Sequence, residues 1–129
     1  MTIKVVDASA LAAVLFNEPQ AAEMAKKLSQ ASLIAPPLLW FEMASICLKK
    51  LTLYPDKREV ILKAYALLDN FEIESKEVNH QAIVKLAEQL KITAYDTSYL
   101  WLAQTYFAEL ITLDKKLQKK MALLSHNQA

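Results

Sequence analysis

The sequence predicts an α/β sandwich, with helices on both faces of a mainly parallel sheet of four or five strands. Two observations carry that reading. Short β-branched runs alternate with stretches of helical periodicity along the whole chain, the pattern of strand–helix–strand units joined by right-handed crossovers. The chain has 129 residues, 54% hydrophobic and 22% charged, enough for one self-sufficient core and too few for two. A single domain over residues 1–124 is expected, followed by a polar tail at 125–129, with no internal repeat or linker.

Ile3-Lys4-Val5-Val6 is β-branched and stops at Asp7, as a short buried strand does. Residues 8–16 are helical by propensity and are closed by Asn17-Glu18-Pro19. In residues 20–28, Ala21, Met24, Ala25 and Leu28 share one face while Lys26 and Lys27 point elsewhere, marking a second, amphipathic helix. Ser32-Leu33-Ile34-Ala35 is the second strand, and Pro36-Pro37 suits the entry of a long helix reaching about residue 51. Over 56–69 the set Val60, Ile61, Ala64, Leu67 and Leu68 recurs at helical spacing, and Asp56 with Glu59 resembles a capping box.

Phe71-Glu72-Ile73-Glu74-Ser75 alternates with period two, which predicts a strand with one wet face at a sheet edge. Asn79 is placed to cap a helix carrying Ile83, Leu86, Ala87 and Leu90. Thr93 opens another helix, through Tyr99, Leu102, Ala103 and Tyr106, before Leu110-Ile111-Thr112-Leu113 reads as a strand ending at Asp114. Residues 115–124 form the last expected helix.

Composition removes several function classes. There is no glycine, so a phosphate-cradling P-loop, a dinucleotide fingerprint and a nucleophile elbow are all excluded, since each needs a backbone position that glycine alone tolerates. Fifteen basic and fourteen acidic residues leave a net charge of +1, which gives no global footprint for nucleic acid or membrane. The single cysteine, Cys47, sits among apolar neighbours as a buried small side chain, which fits a cytoplasmic protein. No uncharged stretch is long enough to span a bilayer, and Asp7 and Asn17-Glu18-Pro19 spoil a signal-peptide reading of the N-terminus.

Chemistry therefore rests on side chains, and the acids are the informative ones. Two strands end directly in aspartate, at Asp7 and Asp114, so both carboxylates are expected on the sheet rim where ligands of open α/β folds bind. Asp96, in the first turn after Thr93, and Glu42, one to two turns into the long helix, can point back to that rim. Asp7 and Asp114 also suit N-caps, and Thr93 with Asp96 matches a capping box. Glu42 is different, because its neighbours three and four residues away are Leu38, Leu39, Ser45 and Ile46, and a carboxylate on such a face needs a partner. A tertiary Lys or Arg would serve; an all-oxygen ligand set favours a hard cation, Mg2+ or Mn2+.

Around these acids, Ser9 and Thr112 stand two residues from Asp7 and Asp114 and are candidate supports for a carboxylate or a metal-held water. The basic pairs Lys49/Lys50, Lys57/Arg58, Lys115/Lys116 and Lys119/Lys120 read mainly as solvated helix faces, although Lys115 and Lys116, directly after Asp114, are candidate RNA phosphate contacts. Tyr95, Tyr99 and Trp101 are candidate base-stacking residues, with Trp101 equally suited to the core. His80 and His126 give no support to zinc or histidine chemistry.

In this order, Val5-Val6-Asp7-Ala8-Ser9-Ala10-Leu11, Ala35-Pro36-Pro37-Leu38-Leu39-Trp40-Phe41-Glu42-Met43-Ala44, Thr93-Ala94-Tyr95-Asp96-Thr97-Ser98-Tyr99-Leu100 and Leu110-Ile111-Thr112-Leu113-Asp114-Lys115-Lys116-Leu117, the chain resembles PIN domains, and among them the VapC-type toxins of prokaryotic toxin-antitoxin pairs. The resemblance spans nearly the whole chain. It implies a PIN-like three-layer sandwich and an acidic pocket in which Asp7, Glu42, Asp96 and Asp114 hold one or two Mg2+ or Mn2+ ions, with Ser9 and Thr112 in support. It also implies hydrolysis of RNA phosphodiester bonds, a homodimer, and silencing by a cognate VapB-type antitoxin.

Two departures stand out. Family members often place a glycine ahead of the strand ending here at Asp114, where this chain has Phe107-Ala108-Glu109, so that turn is expected to be built differently. Only five residues follow Leu124, so a fifth strand is expected to be short or missing. The helices around 38–53 and 60–68 are apolar on more than one face, leaving surface for a dimer or an antitoxin. The alternative reading is a catalytically silent PIN-fold module that binds RNA or regulates. A phosphorelay receiver fails because Val6 precedes Asp7 and Pro36 follows the second strand, and a small-phosphoester hydrolase is separable by its substrate.

Overall fold

The structure is a computed structural model, and it describes residues 2–127. In chain order the elements are β1 (Thr2–Val6), α1 (Ala8–Leu15), α2 (Ala21–Leu28), β2 (Ala31–Ala35), α3 (Leu38–Leu53), α4 (Arg58–Ala66), β3 (Ile73–Ser75), α5 (His80–Leu90), α6 (Ala94–Thr105), β4 (Glu109–Ile111) and α7 (Lys115–Asn127). Every strand pair is parallel, and the order across the sheet is β3-β2-β1-β4. Among the described residues the sheet has four strands, and β3, the strand with the alternating pattern, is at an edge as expected.

Both sheet faces are covered, so the strands are buried on alternate sides. Val6, Ala35 and Ile111 face α1, α2 and α3, packing with Leu11, Leu39 and Met43. Val5 and Ile34 face the other way, onto Tyr99, Leu102 and Ala103 of α6. A third cluster, Leu90, Leu100, Leu117 and Leu124, ties α5, α6 and α7 together, which completes the three layers. Cys47 is buried and free, and Trp101 packs partly buried against the α6 cluster. Among the described residues no helix is long and apolar enough to cross a membrane.

The chain order also fixes where a site can form. From β1 the chain builds outward to β2 and β3, then returns to place β4 on the other side of β1. The direction of winding reverses between β1 and β4, and the crevice beyond the carboxyl ends of two such strands is where open parallel sheets bind ligands. Asp7 directly follows β1, whereas β4 stops at Ile111, so Asp114 lies three residues beyond the strand and not directly at its end as expected.

Several local expectations are corrected. The Asp56–Glu59 capping box does not form: a 3-10 turn at Pro55–Lys57 comes first, α4 starts at Arg58 with no side-chain cap, and a second 3-10 turn at Leu67–Asn70 ends it. Pro55 takes the first position of that turn, which places Asp56 inside it and not at a cap. The last helix runs to Asn127 rather than stopping at Leu124; positions 128–129 of the expected tail lie outside the described residues.

The lack of glycine is visible in the backbone. Asn17, Gln30, Lys91 and Phe107 have φ of 52°, 57°, 59° and 52°, and each lies at the carboxyl end of a helix, where a left-handed residue is usually glycine. The turn before β4 is therefore closed by Phe107 in the conformation glycine would take. That backbone costs a non-glycine residue roughly 1–2 kcal/mol, and Phe107 leaves its ring 92% exposed.

Candidate active site

Each acid reaches the rim by a local necessity of its own. Asp7 leaves β1 in an extended conformation, with its N–H donating to the Ile111 carbonyl at 3.2 Å, and caps α1 by accepting from the Ala10 N–H at 3.2 Å. Asp114 caps α7, its Oδ1 accepting from the N–H groups of Lys116 at 2.9 Å and Leu117 at 3.3 Å. Both are thus the caps that the sequence allowed, and both also line a cavity of about 920 Å3. Glu42 and Asp96 line the same cavity from α3 and α6. Thr93 caps α6 by accepting from the Asp96 N–H at 3.1 Å, but Asp96 does not close the box; its Oδ2 turns to Lys116 Nζ at 3.2 Å.

Ser9 and Thr112 are drawn into the floor. Ser9 Oγ donates to Asp7 Oδ1 at 2.7 Å and Thr112 Oγ1 donates to Asp7 Oδ2 at 2.6 Å. The same two oxygens accept backbone N–H groups from the β4–α7 connection, Leu113 to Ser9 at 2.9 Å and Asp114 to Thr112 at 3.0 Å. One Asp7-centred network thereby fixes the position of Asp114, across the point where the sheet reverses. Among the described residues no buried side-chain nitrogen or oxygen lacks a partner.

Glu42 finds neither lysine nor arginine. Its Oε1 accepts from the buried phenol of Tyr99, three residues after Asp96 on α6. Burial pushes Glu42 above its ordinary range; the Tyr99 bond works against this, and the charges of Asp7 and Asp96 add to it. Asp7 is also pushed up, chiefly by burial, against the bonds from Thr112, Ser9 and Ala10 and with a further push from Asp114. Burial and the Glu42 carboxylate keep the Tyr99 phenol protonated. Two acids therefore sit where ionisation is unfavourable and where added positive charge would stabilise them.

Three of the four acids have one oxygen tethered by the protein and its twin without a protein partner among the described residues: Glu42 Oε2, Asp96 Oδ1 and Asp114 Oδ2. Asp7 spends three of the roughly four acceptor sites of a carboxylate and keeps about one, on Oδ2. Among the described residues no three His, Cys, Asp or Glu side chains are grouped closely enough to hold an ion as placed. The donor set is nevertheless all oxygen and anionic, which suits Mg2+ or Mn2+ and not zinc. His80 lies outside this cavity, and the side chain of His126 is outside the described residues.

Among the other groups lining the cavity, sequence reasoning singled out Tyr95 as a stacking candidate and passed over Lys49 and Phe41. Lys49, read as one of a solvated pair, lines it, seven residues after Glu42 and hence on the same helix face. Phe41 and Tyr95 line its mouth at 77% and 67% exposure, each directly preceding an acid in sequence. Tyr99, read as a base-stacking candidate, is instead 2% exposed and holds Glu42. Lys115 is exposed and outside the cavity lining, while Lys116 meets an acid of this chain. The seven-residue interval from Glu42 and the three-residue interval from Asp96 were the signals that would have found Lys49 and Tyr99.

Comparison with known proteins gives this arrangement its relatives. No curated protein matches the chain. The crystal structure of PAE2754 from Pyrobaculum aerophilum is similar in fold, with a TM-score of 0.72 and 22% identity over 92% of this chain and 84% of that one. The sequence model of the PIN domain, a family whose members are generally nucleases, matches residues 4–123. Because that match takes in all four strands and all four acids, the chain belongs to the PIN domain family.

Proposed function

We propose that the protein is a divalent-metal-dependent endoribonuclease hydrolysing RNA phosphodiester bonds at the Asp7, Glu42, Asp96, Asp114 cavity. The observation that carries this reading is the convergence of four carboxylates from four separate elements on one open cleft, with Asp7 and Glu42 pushed towards protonation chiefly by burial and further by the neighbouring acids. The family supports nuclease chemistry. Lys49 and the exposed rings of Phe41 and Tyr95 support a single-stranded nucleic acid as substrate, since backbone charge and base stacking are what such a strand offers.

Mg2+ or Mn2+ bound by these acids would supply Lewis-acid stabilisation of phosphoryl charge and a water of lowered pKa. The residues divide the remaining work. Ser9, Thr112 and the Ala10 N–H hold Asp7 in one orientation, and Tyr99 does the same for Glu42, so each of these two carboxylates is presented in a fixed orientation. Lys116 pairs with Asp96 and, were that carboxylate to hold an ion instead, would be available to a phosphate oxygen. Lys49 faces the strand from α3.

The same resemblance to VapC-type chains leads to a biological role as the toxin of a VapBC-type pair, acting in the cytoplasm as a homodimer and silenced by a VapB-type antitoxin. Exposed Leu48 and Leu53 on α3 and Val60 and Leu67 around α4 offer apolar surface for those contacts. The enzymatic proposal is tested by incubating total cellular RNA with the purified protein in Mg2+ or Mn2+ and mapping new 5′ ends. Discrete ends that vanish with EDTA and with Glu42→Gln are the expected result; no ends from folded, metal-loaded protein would return the chain to the silent-module reading.

A further inference from the structure

A second, smaller cavity of about 230 Å3 opens beside the acidic cleft and shares two walls with it, Leu38 and Tyr95. Its other sides are mostly apolar, from Pro36, Pro37, Val78, Ile83 and Ala94, with Ser98, whose hydroxyl donates to the Tyr95 carbonyl, and the exposed Glu77 and His80. The volume is below the roughly 300–1,000 Å3 of sites that take drug-sized ligands, so it accepts one ring system. The nuclease reading uses neither Glu77 nor His80, and among the described residues neither joins a salt bridge.

We infer that this slot is a nucleobase subsite, holding a base next to the phosphate that lies over the four acids. The inference rests on the nuclease reading for the register of the strand. Continuity with the acidic cleft argues for it: Tyr95, two-thirds exposed, stands between the two cavities, with one ring face available to a base while the sugar and phosphate pass over its edge into the cleft. Prolines and aliphatic side chains supply an apolar counter-wall to that ring. Such stacking tolerates any base, so selection falls to the rim. A carboxylate accepts and cannot donate, so Glu77 favours adenine, cytosine and guanine, whose exocyclic amino group is a donor, over uracil, which offers only its ring N3–H. His80 offers a second hydrogen-bonding edge of either sense.

The test begins with metal-free, isotope-labelled protein titrated with each of the four nucleosides and with ribose, followed by amide correlation spectra. Adenosine, cytidine or guanosine should move the amides of Val78, Ile83, Ala94 and Tyr95, with uridine weaker and ribose without effect. Ala94→Trp, at an exposed position, should fill the slot and abolish the shifts, and Glu77→Met should weaken binding of the amino-bearing base about tenfold. No shift beyond ribose from any nucleoside, or wild-type binding by folded Ala94→Trp, overturns the subsite. Mapped cleavage ends should then show an amino-bearing base at one fixed position beside the cut, relaxed in Glu77→Met; an unchanged preference in that variant overturns the assignment of specificity. Nucleoside shifts in a protein that cuts no RNA with Mn2+ would remove the nuclease reading and leave the base site standing.

Discussion

The two halves of the acidic cleft are built on different principles. The strand-borne half, Asp7 with Ser9, Thr112 and Asp114, is a closed network: five hydrogen bonds among side chains and adjoining backbone join β1, β4 and the starts of α1 and α7. The helix-borne half has one tether per acid, Tyr99 for Glu42 and Lys116 for Asp96. Over-determination makes the first half rigid and costly, since Asp7 is 5% exposed and held above its ordinary range. Single tethers leave the second half able to exchange partners. A rigid floor that fixes the position of an ion, facing walls that close on it, is the division of labour the cleft suggests.

The largest expected effect tests the rigid half. Asp7→Asn should reduce RNA cleavage by more than the roughly 10- to 100-fold that typifies loss of a group merely orienting a ligand, while raising the melting temperature of the metal-free protein. Kinetic assays and thermal unfolding of one preparation check both, and a variant that loses activity and stability together would make Asp7 a structural cap only. Next comes Tyr99→Phe, which frees Glu42 without touching its charge. Mn2+ affinity measured by calorimetry should fall about tenfold with the fold intact; an unchanged affinity would mean that Glu42 needs no tether.

A pH series sharpens the same contrast. Burial makes folded Asp7 bind its proton more tightly than the unfolded chain does, so its ionisation destabilises the fold in full above the raised folded pKa, and this is relieved as pH falls through it towards the ordinary value of 3.8. The stability gained by Asp7→Asn in EDTA should therefore be greatest at neutral pH and shrink on acidification. A gain independent of pH would contradict the electrostatic origin. The smallest effect belongs to the loose half: Lys116→Met breaks a pair whose lysine is about half exposed, so stability should change by less than about 1 kcal/mol. If Lys116 competes for Asp96, the same variant binds Mn2+ no more weakly than wild type; weaker binding would place Lys116 outside the cleft's exchange of partners.

The contrast also explains what was legible in the sequence. Asp7 and Asp114 could be read because β-branched runs stop at them, and a strand end is a position on the rim. Glu42 could be read from its apolar neighbours, which demanded a partner, but the identity of that partner could not, because Tyr99 is 57 residues away and reaches it only through the packing of α6 across the sheet. A tertiary Lys or Arg, the alternative to a metal ion, is not what meets it. Phe107 shows the same limit in the fold: the missing glycine announced an unusual turn, while the left-handed backbone that resolves it follows from how α6 must end to feed β4. The failed cap at Asp56 was a local signal overruled by the neighbouring Pro55.

The central claim is that four carboxylates from four elements act as one divalent-ion site, and a Mn2+ titration tests it most directly. Electron paramagnetic resonance of free Mn2+, read against wild type, Asp7→Asn, Glu42→Gln, Asp96→Asn and Asp114→Asn, reports binding without reference to any substrate. Saturable binding by the wild type, weakened in every one of the four folded variants, is the predicted result. Wild-type protein that leaves Mn2+ free, or variants that bind it as tightly as wild type, would contradict the account.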